Sequence, residues 1–386
     1  MNLQSELADL ASAGLLRRRR RAESPCGPIM HIDGQTVLSF ASNDYLGLAA
    51  EPALIEAVCV GARNWGVGAG ASHFLGGHFD VHEQAEAALA AFVGRERALL
   101  FSTGYMANLG IVPALVGRGD AVFADKLNHA SLIDGVRLSL ATHQRYPHLD
   151  LNALTRMLTE SRARRKLILT DAVFSMDGDI APLPQLLELA ERFDAWLVVD
   201  DAHGFGVLGP QGRGTAAQFS LPAADRLLIM CTLGKAAGVS GAFVAGQRQA
   251  IEWLEQTART AIYTTAAPPL LAVALLASLK LIETADGRRN HLHQMIGKLR
   301  ADMAPICAHA GWSELSSPTA IQPLVIGDSK RTLALADALL ANGIWAPAIR
   351  PPTVPAGQAR LRISLSAAHT ADQLDRLTGA LSEIAG

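Results

Sequence analysis

The sequence predicts an α/β fold, a mostly parallel sheet covered by helices with a smaller α/β C-terminal domain. Three observations carry that prediction. Short apolar runs recur between residues 50 and 265; being hydrophobic on both faces, they suit strands buried in a parallel sheet. Amphipathic segments separate them, as helices covering such a sheet require. The last third changes character, with two long helical stretches before short strands and a closing helix.

Ala98–Phe101 is the first such strand, ending in the small residues Ser102-Thr103-Gly104, with a helix over Asn108–Val116. Ala121–Ala124 follows, then helices over Ser131–Leu140 and Leu151–Arg164. Leu167–Thr170 and Trp196–Val199 flank the helical segment Leu183–Phe193, and Leu227–Cys231 and Ala242–Ala245 complete the strands. Beyond them lie a long apolar helix, Pro268–Thr284, and another near Leu292–Ala310. The expected organisation is an N-terminal helix and arm (1–45) packing on the small domain, a large domain (46–280) and a small C-terminal domain (281–386).

Composition narrows the function. The chain has 386 residues, 49% hydrophobic and 18% charged, so it can bury a large core and is not disordered. A net charge of −2 supplies no general attraction to nucleic acid or anionic membrane. The apolar run from Pro268 to Leu279 is too short to span a bilayer. Four widely spaced cysteines without CxxC spacing argue against a zinc or disulfide framework, and no signal-peptide stretch precedes Arg17–Arg21. A cytoplasmic enzyme is expected.

Several motifs mislead. Gly204-Phe-Gly206-Val-Leu-Gly209 matches GxGxxG, but Pro210-Gln-Gly212-Arg-Gly214 cannot open the helix that a dinucleotide site needs. Gly66-Val-Gly68-Ala-Gly70 has no preceding strand. His78 and His82 have metal-ligand spacing but lack the HExxH glutamate and a third ligand, so no metal is expected. Arg17–Arg21 reads as a solvated face rather than a nucleic-acid arm.

Chemistry gathers at strand ends, where open α/β sheets bind ligands. Lys235 is the sole formal charge between Leu227 and Gln247; it is either a lysine snorkelling from a loop or an amine whose pKa desolvation lowers. Asp200, Asp201 and His203 follow another strand; adjacent acids on an extended chain face opposite ways, so only one serves the site, and spacing does not say which. Gly104-Tyr105 opens a helix whose free amides suit a phosphate. His129 and Ser175 follow two further strands. An amine, an acid with an imidazole, a phosphate cradle, a second imidazole and a hydroxyl together match pyridoxal 5′-phosphate.

The motifs Ser42-Asn43-Asp44-Tyr45-Leu46-Gly47-Leu48, Phe174-Ser175-Met176-Asp177-Gly178-Asp179, Asp200-Asp201-Ala202-His203-Gly204, Thr232-Leu-Gly-Lys235 and Ile349-Arg350-Pro351-Pro352-Thr353-Val354-Pro355 occur in this order. On them the chain resembles the α-oxoamine synthases, pyridoxal-phosphate-dependent transferases of fold type I, nearly end to end. The resemblance implies that Lys235 holds the cofactor, Asp200 faces its pyridine nitrogen, His203 lies near the phenolic oxygen, His129 stacks on the ring and Ser175 lies near O3′. It also implies that Gly104, Tyr105 and Thr232 reach the phosphate, with Thr264 or Thr265 added from a partner subunit. Arg17, Asn43, His129, Arg350 and Thr353 fall on substrate-side positions.

The activity so implied is an acyltransferase of biotin biosynthesis. It condenses L-alanine with a pimeloyl thioester, on coenzyme A or an acyl carrier protein, releasing CO2 and the thiol. A homodimer with shared sites is expected. Sibling enzymes such as glycine C-acetyltransferase, 5-aminolevulinate synthase or a serine-using palmitoyltransferase share the cofactor residues, and a non-catalytic binding protein on the same fold is a third reading.

Overall fold

The structure, a computed structural model, describes residues 1–12 and 15–385. Its N-terminal elements are α1 (Leu3–Ser12), β1 (Ile29–Ile32), β2 (Gln35–Ser39), α2 (Pro52–Trp65) and α3 (Asp80–Phe92). Then come β3 (Arg97–Phe101), α4 (Gly104–Leu115), β4 (Ala121–Asp125), α5 (Ala130–Ser139), β5 (Thr142–Tyr146), α6 (Leu151–Glu160), β6 (Lys166–Asp171), α7 (Leu183–Arg192) and β7 (Ala195–Asp200). α8 (Thr215–Gln218), β8 (Leu227–Thr232), β9 (Ala242–Gly246), α9 (Arg248–Thr257), α10 (Arg259–Ile262) and α11 (Pro269–Glu283) follow. The C-terminal third holds α12 (Asp286–Ala310), β10 (Ser313–Glu314), β11 (Ile321–Gly327), α13 (Ser329–Ala341), β12 (Ile344–Trp345), β13 (Ala348–Ile349), β14 (Ala359–Ser364) and α14 (Ala371–Ala385).

Seven strands form the main sheet in the order β3-β9-β8-β7-β6-β4-β5. β9 runs antiparallel to both β3 and β8, and the remaining pairs are parallel. Six strands therefore end at the same edge. Alternate residues fill two cores: Phe123, Ile168, Leu197 and Phe243 on one face, Val122, Leu167, Val198 and Val244 on the other. Burying each such side chain contributes about 1.5–3 kcal/mol, which is why these runs are apolar throughout.

Each of the six expected strands is present, and they lie in a mostly parallel sheet as expected. β5 was not expected: its sequence, Thr-His-Gln-Arg-Tyr, is polar because it closes an edge of the sheet. α4 begins at Gly104 rather than Asn108, since Thr103 caps it by accepting from the Met106 N–H. α6 stops at Glu160, short of Arg164, and α12 starts at Asp286, before Leu292.

A second sheet, β10-β11-β14-β13, lies in the C-terminal third, and β2 pairs in parallel with β12. The arm therefore docks on the C-terminal region through the β1–β2 hairpin, not through α1. No residue of α1 is buried, and Leu3, Leu7 and Leu10 are exposed.

Candidate active site

Asp200 ends β7, Thr232 ends β8, Asp171 ends β6 and Asp125 ends β4, all on one edge of the sheet. The turns that follow carry His203, Lys235, Ser175 and His129. Lys235 Nζ lies 2.8 Å from His203 Nε2. On the other side of that ring, Nδ1 lies 2.7 Å from the Tyr45 hydroxyl, which donates to Asn43 Oδ1 at 3.1 Å. Arg362 donates to the same Asn43 oxygen at 3.0 Å.

This arrangement sets the protons in one direction. Asn43 Oδ1 accepts from both Tyr45 and Arg362, so His203 carries its proton on Nδ1 toward Tyr45 and offers Nε2 to the lysine. Burial and the nearby Lys235 and Arg362 cations hold His203 well below the ordinary imidazole value. Burial also pushes Lys235 down to about 8, Arg362 adding to the fall and Asp200 opposing it. A neutral amine is thus accessible near physiological pH, as a nucleophile requires.

The two adjacent acids separate cleanly. Asp200 Oδ2 accepts from Asn108 Nδ2 at 2.7 Å, and Asn108 also reaches the Ser131 hydroxyl at 2.9 Å, which lies 2.7 Å from His129 Nδ1. Asp201 points elsewhere, accepting from both the backbone N–H and the hydroxyl of Thr215, at 2.7 and 2.6 Å. Burial pushes Asp201 up to about 7. Gly204 is required beside it, since a Cβ there would lie 2.1 Å from Thr215 Oγ1. Asp171 is buried and, with Asp200 nearby, held well above the usual carboxylate range; it accepts the His129 N–H at 2.7 Å.

Ser175 sits on a turn held from two sides. From β14, Arg362 Nε donates to the Ser175 carbonyl at 2.6 Å, and Arg360 donates to the Met176 carbonyl and to Asp177, at 3.1 and 2.8 Å. From the other side, His148 bridges Asp125 at 3.0 Å and Asp179 at 2.7 Å. Despite burial, the two carboxylates raise His148 to about 10. Its stabilising contribution, on the order of a few kcal/mol, is complete below the ordinary value of 6.5 and disappears as pH rises through about 10. Urea denaturation at a series of pH values should therefore show wild type losing stability relative to His148→Gln over that interval. Lys235, whose folded pKa is lowered, contributes the opposite slope in both proteins and cancels in the difference.

The remaining expected residues fall into four groups. Gly104 and Tyr105 open α4, and the Tyr105 hydroxyl bonds to Asp134. Thr232 donates to the Gly241 carbonyl at 3.3 Å, beside the Lys235 turn. Arg350 and Thr353 share a turn between β13 and β14, with the Thr353 N–H donating to the Arg350 carbonyl at 3.0 Å. Among the described residues, no hydrogen bond or ion pair links Arg17, Thr264 or Thr265 to the Lys235 network. Arg17 is exposed on the arm, where neighbouring Arg18 and Arg20 pair with Asp33 and Arg21 with Glu23.

The misleading motifs also find places. After Gly209 come a single 3₁₀ turn and the four-residue α8, so no long helix opens on the glycines. His78 and His82 are joined by His73, but both His82 nitrogens are engaged, one by the Phe79 N–H and the other by the Ala267 carbonyl.

Tyr45, Asn108, Ser131, Asp171 and Arg362 take part in the site without having been singled out. Arg360 and Arg362 had a signal: two arginines interrupt Ala-Arg-Leu-Arg-Ile-Ser, a strand buried at every position. Asn108 had little, since its role depends on a strand 92 residues away.

The donor set fits pyridoxal phosphate. Asn108 Oδ1 is buried without a hydrogen-bond partner, and His129 lies at the turn after β4 on the same sheet edge. Thr103 occupies the Met106 N–H, leaving the Gly104 and Tyr105 amides as helix-end donors for an anion. Lys235 would hold the aldehyde carbon, Asp200 the pyridine nitrogen and the start of α4 the phosphate.

Residues 35–381 match the family described as aminotransferase class I and II. Among curated proteins, 8-amino-7-oxononanoate synthase of Herminiimonas arsenicoxydans is 63% identical, covering 98% of each chain. The protein of that name from Aromatoleum aromaticum is 61% identical, over 99% of this chain and 98% of its own. Among solved structures, serine palmitoyltransferase from S. paucimobilis superposes with a TM-score of 0.90 at 30% identity, over 99% of this chain and 96% of that one. An 8-amino-7-oxononanoate synthase from Francisella tularensis superposes with a TM-score of 0.78 at 34% identity, over 90% and 97%. With its lysine, acid and imidazoles on one sheet edge and relatives matching along almost its whole length, the chain belongs to the aminotransferase class I and II family, on the branch of the 8-amino-7-oxononanoate synthases.

Proposed function

We propose that this chain is a pyridoxal-phosphate-dependent acyltransferase that condenses L-alanine with a pimeloyl thioester to give 8-amino-7-oxononanoate, CO2 and the free thiol, a step of biotin biosynthesis. The observation that carries the chemistry is the Lys235 amine, lowered to about 8 and 2.8 Å from His203, beside the anchored Asp200. When bound, the cofactor supplies an electron sink for the α-carbon of the amino acid. Lys235 Nζ, in its neutral form, takes the α-proton of alanine. Asp200, immobilised by Asn108, would face the pyridine nitrogen. His129 orients the reacting groups, and Arg362, held by the Asn43 carbonyl oxygen, offers positive charge to a substrate carboxylate.

The choice of substrates rests on 61–63% identity to synthases of that name. The closer superposition on serine palmitoyltransferase reflects a shared fold, which does not fix the substrate. The test is product mass from alanine and pimeloyl-CoA or a pimeloyl carrier protein, run beside glycine with acetyl- or succinyl-CoA and serine with palmitoyl-CoA. Product from a sibling pair alone would overturn this reading. No helix among the described residues is long and apolar enough to cross a membrane. The cytoplasm is the proposed location, consistent with four free cysteines.

The active unit is proposed to be a homodimer. Thr265 bridges Ser72, and around this pair Val67, Phe74, Leu75 and Tyr263 are 50–81% exposed, an apolar collar suited to a second copy. Thr264 and Thr265 would then serve the partner's phosphate site, and Arg17, on the equally exposed arm, a substrate. Mixed dimers of Lys235→Ala and Thr264→Ala/Thr265→Ala chains should regain about half of wild-type activity, because two-fold symmetry leaves one site intact. Heterodimers without activity would overturn the shared site.

A further inference from the structure

We propose that His148 is a positioning residue for the cofactor pocket, locking the turn that carries His129 to the turn that carries Ser175. The proposal rests on reading the site as a pyridoxal-phosphate pocket. The ring is bonded through both nitrogens, Nδ1 to Asp125 at 3.0 Å and Nε2 to Asp179 at 2.7 Å, and packs edge-on against Phe174 at 4.4 Å.

Each carboxylate is built into one of the two turns. Asp125 ends β4 and accepts the Leu127 N–H at 2.8 Å and the Leu149 N–H at 2.9 Å, while its carbonyl accepts the Asn128 N–H at 3.2 Å. His129 is the next residue. Asp179 closes the other turn, its carbonyl accepting the Phe174 N–H at 3.1 Å while the Phe174 carbonyl accepts the Gly178 N–H at 2.8 Å. Ser175 lies inside that ring of bonds.

The bridge is therefore short, rigid and charge-assisted, since His148 is raised to about 10 and is protonated at neutral pH. Asp179 Oδ1 is buried without a partner, so His148 is the cation that balances this carboxylate. Arg360 and Arg362 hold the opposite side of the same turn from β14. Ser175 is thus gripped between the C-terminal region and the β4 turn, and without His148 only the first grip remains.

The test compares apparent Kd for pyridoxal phosphate, the visible circular dichroism of the bound cofactor, and Tm, in wild type, His148→Gln, Asp179→Asn and the double variant. The expected result is Kd weakened about tenfold in each single variant, with an altered visible band and no further loss in the double, because the two residues act as one unit. Should His148→Gln fail to fold, Asp179→Asn, which keeps a neutral hydrogen bond, carries the same comparison. A variant with lowered Tm but wild-type Kd and visible band would assign His148 to stability alone and overturn the proposal, as would additive losses. Wild-type protein that takes up no pyridoxal phosphate would instead overturn the functional reading beneath it.

Discussion

Lys235→Ala is expected to lower turnover by at least roughly 10⁴-fold, the upper range for losing a positioned acid–base group, because the same atom is also the proposed point of covalent attachment. Lys235 is the sole formal charge between Leu227 and Gln247, so no neighbouring amine in that segment can substitute. The fold should survive. Removing a buried amine relieves its desolvation cost, and the strand leading to it is held by burial of Leu228, Ile229, Met230 and Cys231. Borohydride reduction followed by peptide mass should tag Lys235 in wild type and no residue in the variant. Turnover within tenfold of wild type, or a tag on another lysine, would remove Lys235 from the mechanism.

Asp200→Asn and Asp201→Asn should fail in different ways although the residues are adjacent. Asp200→Asn removes the carboxylate proposed to face the cofactor and turns an amide toward the Asn108 donor at 2.7 Å. A loss of about 10²–10³-fold in kcat is expected, the usual cost of a missing preorganised electrostatic partner. Asp201→Asn leaves that charge untouched but cannot accept from both the N–H and the hydroxyl of Thr215, so stability should fall by about 1–3 kcal/mol. Its pH dependence gives a second readout. Asp201 is raised from 3.8 to about 7, so the stability it confers is complete below 3.8 and declines as pH rises through about 7. The asparagine variant should lack that decline. Urea denaturation and kcat on the folded proteins measure both effects; equal kcat losses would show that both carboxylates serve the site.

By itself the sequence determined the sheet and the chemical inventory of its edge. Strands buried on both faces must be apolar throughout, so Leu167–Thr170 or Leu227–Cys231 could be read directly, and the charged and polar residues that interrupt the pattern at strand ends marked Lys235, Asp200 and His203. β5 escaped because an edge strand tolerates Thr-His-Gln-Arg-Tyr, and the reversed direction of β9 escaped because apolar patterning is blind to strand direction. Resemblance chose Asp200 over Asp201; the physical ground for the difference, Thr215 holding Asp201 away, exists only in three dimensions. The same is true of the chain from Lys235 through His203 and Tyr45 to Asn43 and Arg362, the last two 319 residues apart. Hydrogen bonds of that kind leave no period or spacing in a sequence, because a donor and its acceptor need only meet after the chain has folded. Tertiary structure alone decided which polar groups meet, which way their protons point, and that His148 joins two turns of the site.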